Sequence, residues 1–318
     1  MEPIKGLHHV TAVARDPQRN VDFYRNMLGQ RLVKRTVNFD SPDTYHFYFA
    51  DETGTPGSVL TFFAWPTMRR GVHGNGETNA VAYNVPKDAL SFWEVHLKKN
   101  DVKTDPIEKR FGQDVLTFSD PDGMRIELVE SESLPEIRFW EEGPIPRQYA
   151  LRGFHSVTLW LDEVEPTAEL LTAQMGYQAA GQEGMRYRYV GEPNTIGSIV
   201  DIAHRPRKMQ AGFGTGSIHH IAFRVPDDSS QLEYQASLGE AGFRVTPVMD
   251  RSYFHSVYFR ENGGVLFEIA TNTPGFLIDE PLNALGELLK LPEWLEPNRA
   301  EIEQNIAPLT LKTIEKVK

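Results

Sequence analysis

Two histidine pairs and one glutamate are the residues of this chain best suited to holding a metal ion. His8-His9 and His219-His220 are consecutive, and Glu268 lies inside an apolar run from residue 265 to 270. The 318 residues include ten histidines and no cysteine. A thiolate nucleophile, a disulfide framework, a cysteine zinc site and an iron–sulfur cluster are therefore excluded. A metal would have to be bound by imidazole nitrogen and by carboxylate or other oxygen ligands.

The charge balance restricts the partners of the chain. Lysine and arginine number 33 against 44 aspartates and glutamates, a formal net charge of −11. Because nucleic acids and anionic membranes attract positively charged proteins, we expect neither as a general partner. No apolar run approaches the roughly 18 residues of a membrane span, and the first residues lack the signal-peptide pattern. We expect a soluble cytoplasmic protein, and a homo-oligomer is compatible with the sequence.

A fourfold repeat supplies the elements that would position these side chains. Four segments begin with a short apolar strand, with positions 9, 80, 156 and 220 equivalent. After each strand come an amphipathic helical stretch and three strand-like runs separated by turn residues. The predicted helices are Pro17 to Gly29, Asp88 to Asn100, Glu165 to Met175 and Asp228 to Ala241.

The repeat predicts an α+β protein of four βαβββ modules. The modules are expected at 6–65, 78–131, 152–204 and 217–271. Residues 131–152, with Pro135, Pro144 and Pro146, have the composition of a linker. We therefore predict two tandem domains, 1–135 and 150–271, and a partly helical tail, 272–318. In the tail, four leucines are expected to pack on the body: Leu285, Leu288, Leu289 and Leu291.

These features resemble a known family, the vicinal oxygen chelate superfamily. It includes glyoxalase I, bleomycin and fosfomycin resistance proteins, and extradiol ring-cleaving dioxygenases. The resemblance covers roughly the first 270 residues and implies two glyoxalase/dioxygenase-like domains built from paired modules. Four segments resemble the hydroquinone and chlorohydroquinone ring-cleaving dioxygenase branch: 6–11, 218–220, 266–271 and the tail segment 289–297.

Equivalent positions in the repeat indicate which modules could share a metal. First-strand candidates are His9, Ala80, Ser156 and His220, and last-strand candidates are Thr61 or Phe62, Glu127, Asp201 and Glu268. Only the first and fourth modules together supply two histidines and one carboxylate, namely His9, His220 and Glu268. This is the composition of the facial triad of non-haem Fe(II) oxygenases, which leaves coordination positions open. We predict Fe(II) there, with Mn, Zn or Ni as alternatives in the purified protein.

The availability of a fourth metal ligand distinguishes glyoxalase chemistry from oxygenase chemistry. A glyoxalase-type site would use a further ligand from the first module, where only Thr61 or Phe62 is available, and this favours an oxygenase. An unpaired buried carboxylate costs several kcal/mol, so a cation is expected beside Glu268. The alternative places Glu268 on the solvent face of an alternating strand. Glu127 occupies the same repeat position as Glu268, but its module lacks the histidines. We therefore interpret Glu127 as a salt-bridged remnant of such a site.

Three residues on the first strands of the first and fourth modules are predicted to act beside the metal. His8 and His219 could orient the ligand histidines or shuttle a proton. They could equally be hydrogen-bonded histidines at a strand start, as His155 is expected to be. Thr11 follows His9 by two residues, so the two side chains should share one face of the strand.

The resemblance adds Arg251 and Tyr258, which match positions that the dioxygenase branch uses beside its substrate. Arg251 would hold a phenolate or developing negative charge. Tyr258 would donate a hydrogen bond or a proton. Without the resemblance, a surface arginine and a core tyrosine would be the better interpretations. His255, expected on the opposite face from Tyr258, is not included in the predicted site.

The predicted function is Fe(II)-dependent cleavage of the ring of a hydroquinone or related phenol by dioxygen. The expected partners are accordingly a small aromatic substrate and O₂. Three alternatives stay open: extradiol cleavage of a catechol, a glyoxalase-like metal-dependent lyase or isomerase, and a non-catalytic resistance protein that binds an aromatic compound.

Overall fold

The computed structural model describes residues 1–132 and 137–317. Its strands are β1 Leu7–Ala14, β2 Arg31–Asn38, β3 Ser41–Ala50, β4 Val59–Ala64, β5 Glu77–Pro86, β6 Glu108–Arg110, β7 Gln113–Ser119, β8 Arg125–Ser131, β9 Phe154–Leu161, β10 Gln178–Glu183, β11 Arg186–Val190, β12 Ile199–His204, β13 Ile218–Val225, β14 Met249–Asp250, β15 Phe254–Arg260 and β16 Leu266–Pro274. Its α-helices are α1 Pro17–Val21, α2 Leu90–Lys99, α3 Glu165–Glu169, α4 Asp228–Glu240 and α5 Arg299–Asn305. The π-helical segments Asp22–Met27 and Leu170–Gln174 continue α1 and α3.

Each module has the order strand, helix and three strands, which confirms the predicted α+β fold of four βαβββ modules. Local signals explain the helix ends. The Asp16 carboxylate accepts a hydrogen bond from the Arg19 backbone N–H at 2.9 Å and caps α1, and Pro17 occupies its first turn. After the π-helical segment, Gly29 adopts a φ of +74°, a left-handed conformation that glycine tolerates best.

The modules are arranged in two eight-stranded sheets that each combine one module from either half of the sequence. In the first sheet the order is β14-β15-β16-β13-β1-β4-β3-β2, so the first and fourth modules lie side by side. In the second sheet the order is β10-β11-β12-β9-β5-β8-β7-β6, which joins the second and third modules. Neither sheet is confined to 1–135 or to 150–271, and that division of the sequence stays a prediction.

The centre of the first sheet is where the two modules meet. Strand β1 pairs in parallel with β4 on one side and antiparallel with β13 on the other. All eight residues of β1 are buried, as expected of a central strand covered on both faces. On one face, the Gln231 side chain of α4 donates a hydrogen bond to the Ile269 carbonyl at 2.8 Å. This contact ties the helix to the strand that carries Glu268.

The tail packs against the first sheet, with one departure from expectation. Leu285 and Leu291 are buried and Leu289 packs against the core, whereas Leu288 is 66% exposed. Leu289 forms a β-bridge with Arg35 of β2, and the alternation of an extended chain turns the preceding side chain to solvent. The prediction for Leu288 is therefore wrong. Pro135 of the predicted linker lies outside the described residues.

In the part of the chain that the structure describes, no helix combines the length and hydropathy needed to cross a bilayer.

Candidate metal centre

The structure brings His9, His220 and Glu268 together on three adjacent strands, β1, β13 and β16. The two Nε2 atoms are 3.3 Å apart, and Glu268 Oε2 lies 3.3 Å from that of His9 and 2.9 Å from that of His220. Among residues 1–132 and 137–317, this is the one group of three or more such side chains whose ligand atoms all lie within 4.8 Å of one another. The convergence of two nitrogens and one oxygen is what a single metal ion requires.

Glu268 provides the test of whether these residues fit a cation. Its side chain is fully buried, so the solvent-facing alternative is wrong. Ser256 donates a hydrogen bond to Oε1, whereas Oε2 accepts none in the described structure despite the two nearby ring nitrogens. Burial by itself would raise the pKa of Glu268, but His9 and His220 lower it well below its usual value. A buried, ionised carboxylate with an unpaired oxygen is suited to a metal ion.

His8 and His219 contact the other ring nitrogen of each ligand histidine. The Nδ1–Nδ1 distances are 2.9 Å for His8 and His9, and 2.7 Å for His219 and His220. Burial and the neighbouring His9 hold the pKa of His8 well below its usual value, and burial and His220 lower the pKa of His219 to about 3. Neutral His8 and His219 can accept an Nδ1–H bond from the ligand ring. That bond leaves the Nε2 lone pair free for a metal.

His9 and His220 line a cavity of about 240 Å³, and Glu268 lies directly behind their ring nitrogens. Apolar cavities of about 150 Å³ bind benzene in other proteins, so this volume suits one substituted aromatic ring. Phe63, Trp65 and Phe254 are among the aromatic residues that line it. Thr11, predicted to share the face of His9, also lines the cavity.

Arg251 and Tyr258 lie at the same cavity, as the resemblance implies. Arg251 Nε donates to the Tyr258 hydroxyl at 3.2 Å, and its Nη1 pairs with the exposed Asp40 carboxylate at 3.2 Å. Burial lowers the pKa of Arg251, but Tyr258, Asp40 and Glu268 together raise it, so the guanidinium keeps its charge. Burial and Glu268 raise the pKa of Tyr258, which stays a protonated donor. His255, by contrast, pairs with Asp228 at 2.6 Å and does not line this cavity.

Two further polar side chains line the cavity that the sequence did not indicate, His46 and Tyr48 of β3. Thr61 of β4, which the repeat gave as one of two last-strand candidates, is in hydrogen-bond contact with His46 at 2.9 Å. Thr61 pairs with Thr11 in the β1–β4 register, just as Glu268 pairs with Ala222 in β13–β16. Thr61, rather than Phe62, therefore occupies the position equivalent to Glu268. Alternation along β3 indicates that His46 and Tyr48 share one face of the strand, but the sequence does not show which face borders the cavity.

The second sheet repeats the framework of this centre without the histidines. Glu127 pairs with Ala82 in the parallel β5–β8 register, the same relation as that of Glu268 to Ala222. Asp201 has the corresponding relation to Thr158. The first-strand positions are occupied by Ala80 and Ser156, which do not coordinate metals well.

Arginines neutralise the carboxylates of the second sheet. Arg110 Nη1 lies 2.7 Å from Glu127 Oε2, which confirms the salt bridge expected there. Arg188 binds Asp201 with two hydrogen bonds, of 2.8 Å and 2.9 Å, and Arg186 adds a third of 3.2 Å. The Arg188–Asp201 pair is bidentate, which is the strongest geometry for an arginine and a carboxylate. Guanidinium groups thus take the place that a metal would occupy in the first sheet.

Comparison with known proteins agrees with this architecture. A protein of Bacillus subtilis (strain 168) named "Putative ring-cleaving dioxygenase MhqO" is 45% identical over 312 residues, 98% of this chain and 98% of its own length. A protein of Sphingobium indicum named "Chlorohydroquinone/hydroquinone 1,2-dioxygenase" is 36% identical over 315 residues, 95% of each chain. A crystal structure titled as a "putative dioxygenase" from B. subtilis superimposes with a TM-score of 0.92 at 43% identity, covering 99% of this chain and 100% of that one.

The family match follows the two halves of the sequence. Residues 6–128 and 153–269 match the Glyoxalase/Bleomycin resistance protein/Dioxygenase superfamily. The four modules of the fold lie almost entirely within these two segments. The resemblance found in the sequence is confirmed, and the chain belongs to the glyoxalase/bleomycin resistance protein/dioxygenase superfamily, with relatives named as ring-cleaving dioxygenases.

Proposed function

We propose that this protein is a metal-dependent dioxygenase that cleaves the ring of a hydroquinone or related phenol. The observation that carries the proposal is the buried His9, His220 and Glu268 group, which lies beside an aromatic-lined cavity sized for one ring. The named activity of the Sphingobium relative supports the same substrate class. We propose Fe(II) as the ion, because two histidines and one carboxylate are the ligand set of non-haem iron oxygenases.

His9, His220 and Glu268 would hold the ion, while His8 and His219 would fix the ligand rings. When bound, Fe(II) supplies the electrons that activate dioxygen and a Lewis acid for the phenolic oxygen. The protein residues bind and orient the ring and exclude water. Both atoms of O₂ end in the ring-opened product, so no external reductant is needed.

The charge of the substrate would be stabilised by Tyr258 on β15 and by Arg251 in the connection that precedes this strand. The Arg251 guanidinium lies at the cavity with its charge retained, and it suits a phenolate oxygen. Its hydrogen bond to Tyr258 directs the phenolic group of that residue toward the same region. Tyr258 then donates a hydrogen bond or a proton to oxygen as negative charge develops.

Anaerobic reconstitution with Fe(II), followed by oxygen uptake with a panel of hydroquinones and catechols, tests the proposal. We expect uptake of one O₂ per ring with hydroquinones, and a ring-opened product by mass spectrometry. Preference for catechols would assign extradiol cleavage instead. Turnover of a glutathione hemithioacetal without oxygen, by zinc- or nickel-loaded protein, would assign glyoxalase chemistry. Aromatic binding without oxygen uptake at full iron occupancy would contradict any dioxygenase.

A further inference from the structure

A hydrogen-bonded chain of four hydroxyl and imidazole groups connects β3, β4 and β1 beside the cavity. The Tyr48 hydroxyl lies 3.0 Å from His46 Nδ1, and His46 Nε2 lies 2.9 Å from Thr61 Oγ1. Thr61 in turn donates to Thr11 Oγ1 at 2.9 Å. Tyr48, Thr61 and Thr11 are each at most 1% exposed, and His46 is half-buried.

The direction of the chain follows from counting protons. Thr61 has one hydroxyl proton and donates it to Thr11, so toward His46 it can act only as an acceptor. His46 must therefore carry its proton on Nε2 and accept at Nδ1. The Tyr48 hydroxyl, which burial keeps protonated by raising its pKa, supplies that donor. Burial also lowers the pKa of His46, consistent with a neutral ring that donates at one nitrogen and accepts at the other.

Thr11, the last member of this hydrogen-bonded chain, has its hydroxyl proton available for donation. Thr11 accepts from Thr61, and in the described residues its hydroxyl makes no other side-chain hydrogen bond. Its side chain lines the cavity beside His9. A threonine hydroxyl that is already accepting completes its bonding by donating, and the available direction is toward the occupant of the cavity.

We propose that Tyr48, His46 and Thr61 are positioning residues that make Thr11 a fixed hydrogen-bond donor to a phenolate oxygen of the bound ring. This inference rests on the proposed function, because it requires a phenolic occupant of the cavity. Arg251 and Tyr258 approach the cavity from β15 and its preceding connection, and Thr11 from β1. The site would thus have donors on two sides. A polarised donor prefers an anionic oxygen over a neutral one, which selects the ionised phenol.

Binding of 4-nitrophenol provides a test that does not depend on turnover, because its phenolate has its own absorption band. Zinc-loaded and metal-free protein would be titrated above and below the pKa of the free probe. We expect wild-type protein to prefer the phenolate. Thr61→Val, which keeps the shape and removes the hydroxyl, should lose ~10- to 100-fold in phenolate affinity. Affinity for the neutral phenol should change less.

Matched variants separate positioning from general damage. Thr61→Ser keeps a hydroxyl and should recover most of the lost affinity. Thr117→Val removes a buried hydroxyl from β7 of the second sheet and should leave phenolate binding unchanged. If Thr61→Val does not fold, Tyr48→Phe provides a second test. It removes the hydroxyl that keeps the His46 proton on Nε2, and it should therefore reduce the preference for the phenolate.

The outcomes distinguish this inference from the proposed function. Wild-type protein that binds no phenol in either metal state would overturn the proposed function together with the role of Thr11. Wild-type binding with equal phenolate preference in folded Thr61→Val and Tyr48→Phe would overturn the positioning role alone. With Fe(II)-loaded enzyme, the same variants should raise KM for the ionised substrate more than they lower kcat.

Discussion

The two sheets of this protein are built on one plan but neutralise their buried carboxylates differently. In the first sheet, Glu268 faces two histidine nitrogens that can share a metal ion with it. In the second sheet, Asp201 faces the Arg188 guanidinium in a bidentate pair. Both carboxylates are at most 1% exposed, and leaving a buried carboxylate without a positive partner would be strongly destabilising.

The difference shows that a repeated module can have the same fold without the histidines of the candidate metal site. A buried acid at the last-strand position is tolerated with either an ion or an arginine, so this position alone does not identify a catalytic centre. The identity of the first-strand residues decides the outcome. His9 and His220 offer ring nitrogens that can bind a metal, whereas Ala80 and Ser156 offer none. Arginines of β6 and β11 pair with the carboxylates of the second sheet instead.

Replacing the matched glutamates should produce the largest contrast. Glu268→Gln removes the one anionic ligand, so we expect loss of metal binding and of oxygen uptake by a factor of about a thousand or more. Glu127→Gln alters the equivalent buried residue of the second sheet and should leave metal content unchanged. Elemental analysis and oxygen uptake check both variants. Full metal occupancy in Glu268→Gln would remove the basis of the comparison.

Arg188→Met should destabilise the protein without touching the metal centre. It leaves Asp201 buried with only Arg186 beside it, and breaking a buried pair costs about 3–5 kcal/mol. Urea unfolding would measure the change in the free energy of unfolding. The double variant Arg188→Met with Asp201→Leu should recover much of the stability, because the unpaired charge is gone. A single variant as stable as wild type would mean that the arginine is not required for neutralisation.

His8→Ala or His219→Ala should weaken metal binding by ~10- to 100-fold, because each removes the partner that orients a ligand ring. The matched variant is His155→Ala, whose ring bonds Ser156 and Gln113 in the second sheet. It should leave metal affinity unchanged. Competition with a chelator of known affinity measures all three. Equal metal affinity in His8→Ala, His219→Ala and wild type would make these histidines structural, like His155.

Asp40→Asn should have the smallest effect. Its partner Arg251 is mostly buried, but the Asp40 carboxylate is 67% exposed, so the pair contributes less than about 1 kcal/mol. The stability difference from wild type should shrink further in high salt, unlike that of Arg188→Met. Urea unfolding at two ionic strengths makes this check. A large loss of stability that does not depend on salt would mean that the Arg251–Asp40 pair contributes as much as the buried Arg188–Asp201 pair.

Much of the fold and the ligand set could be predicted, because each depends on patterns that survive in a single sequence. The four modules follow from alternation, amphipathic helices and glycine ends. His9, His220 and Glu268 follow from residue types at equivalent repeat positions. One helix boundary shows the limit of such patterns: Asp88 was expected to start a helix, but it has a φ of +64° and α2 begins at Leu90.

Other features depend on contacts between residues far apart in sequence. Arg110 of β6 and Arg188 of β11 contact Glu127 and Asp201 only through the register of the second sheet, which the local sequence does not specify. The path from Tyr48 to Thr11 needs both the β3–β4 and the β1–β4 register. Since a shift of one residue turns each side chain to the opposite face, periodicity alone cannot predict such a path.

The joining of the first module to the last also sets an order of events during synthesis. The ribosome releases the chain from its N-terminus, and His220 follows His9 by 211 residues. The β4 neighbour of β1 lies within the same module, but its other neighbour, β13, begins only at Ile218. Until β13 and β16 are made, the nascent chain holds only His9 of the three candidate ligands and would not bind a metal ion tightly. Tight metal binding would therefore be possible only once β16 has been made, after nearly all the residues that line the cavity have been synthesised.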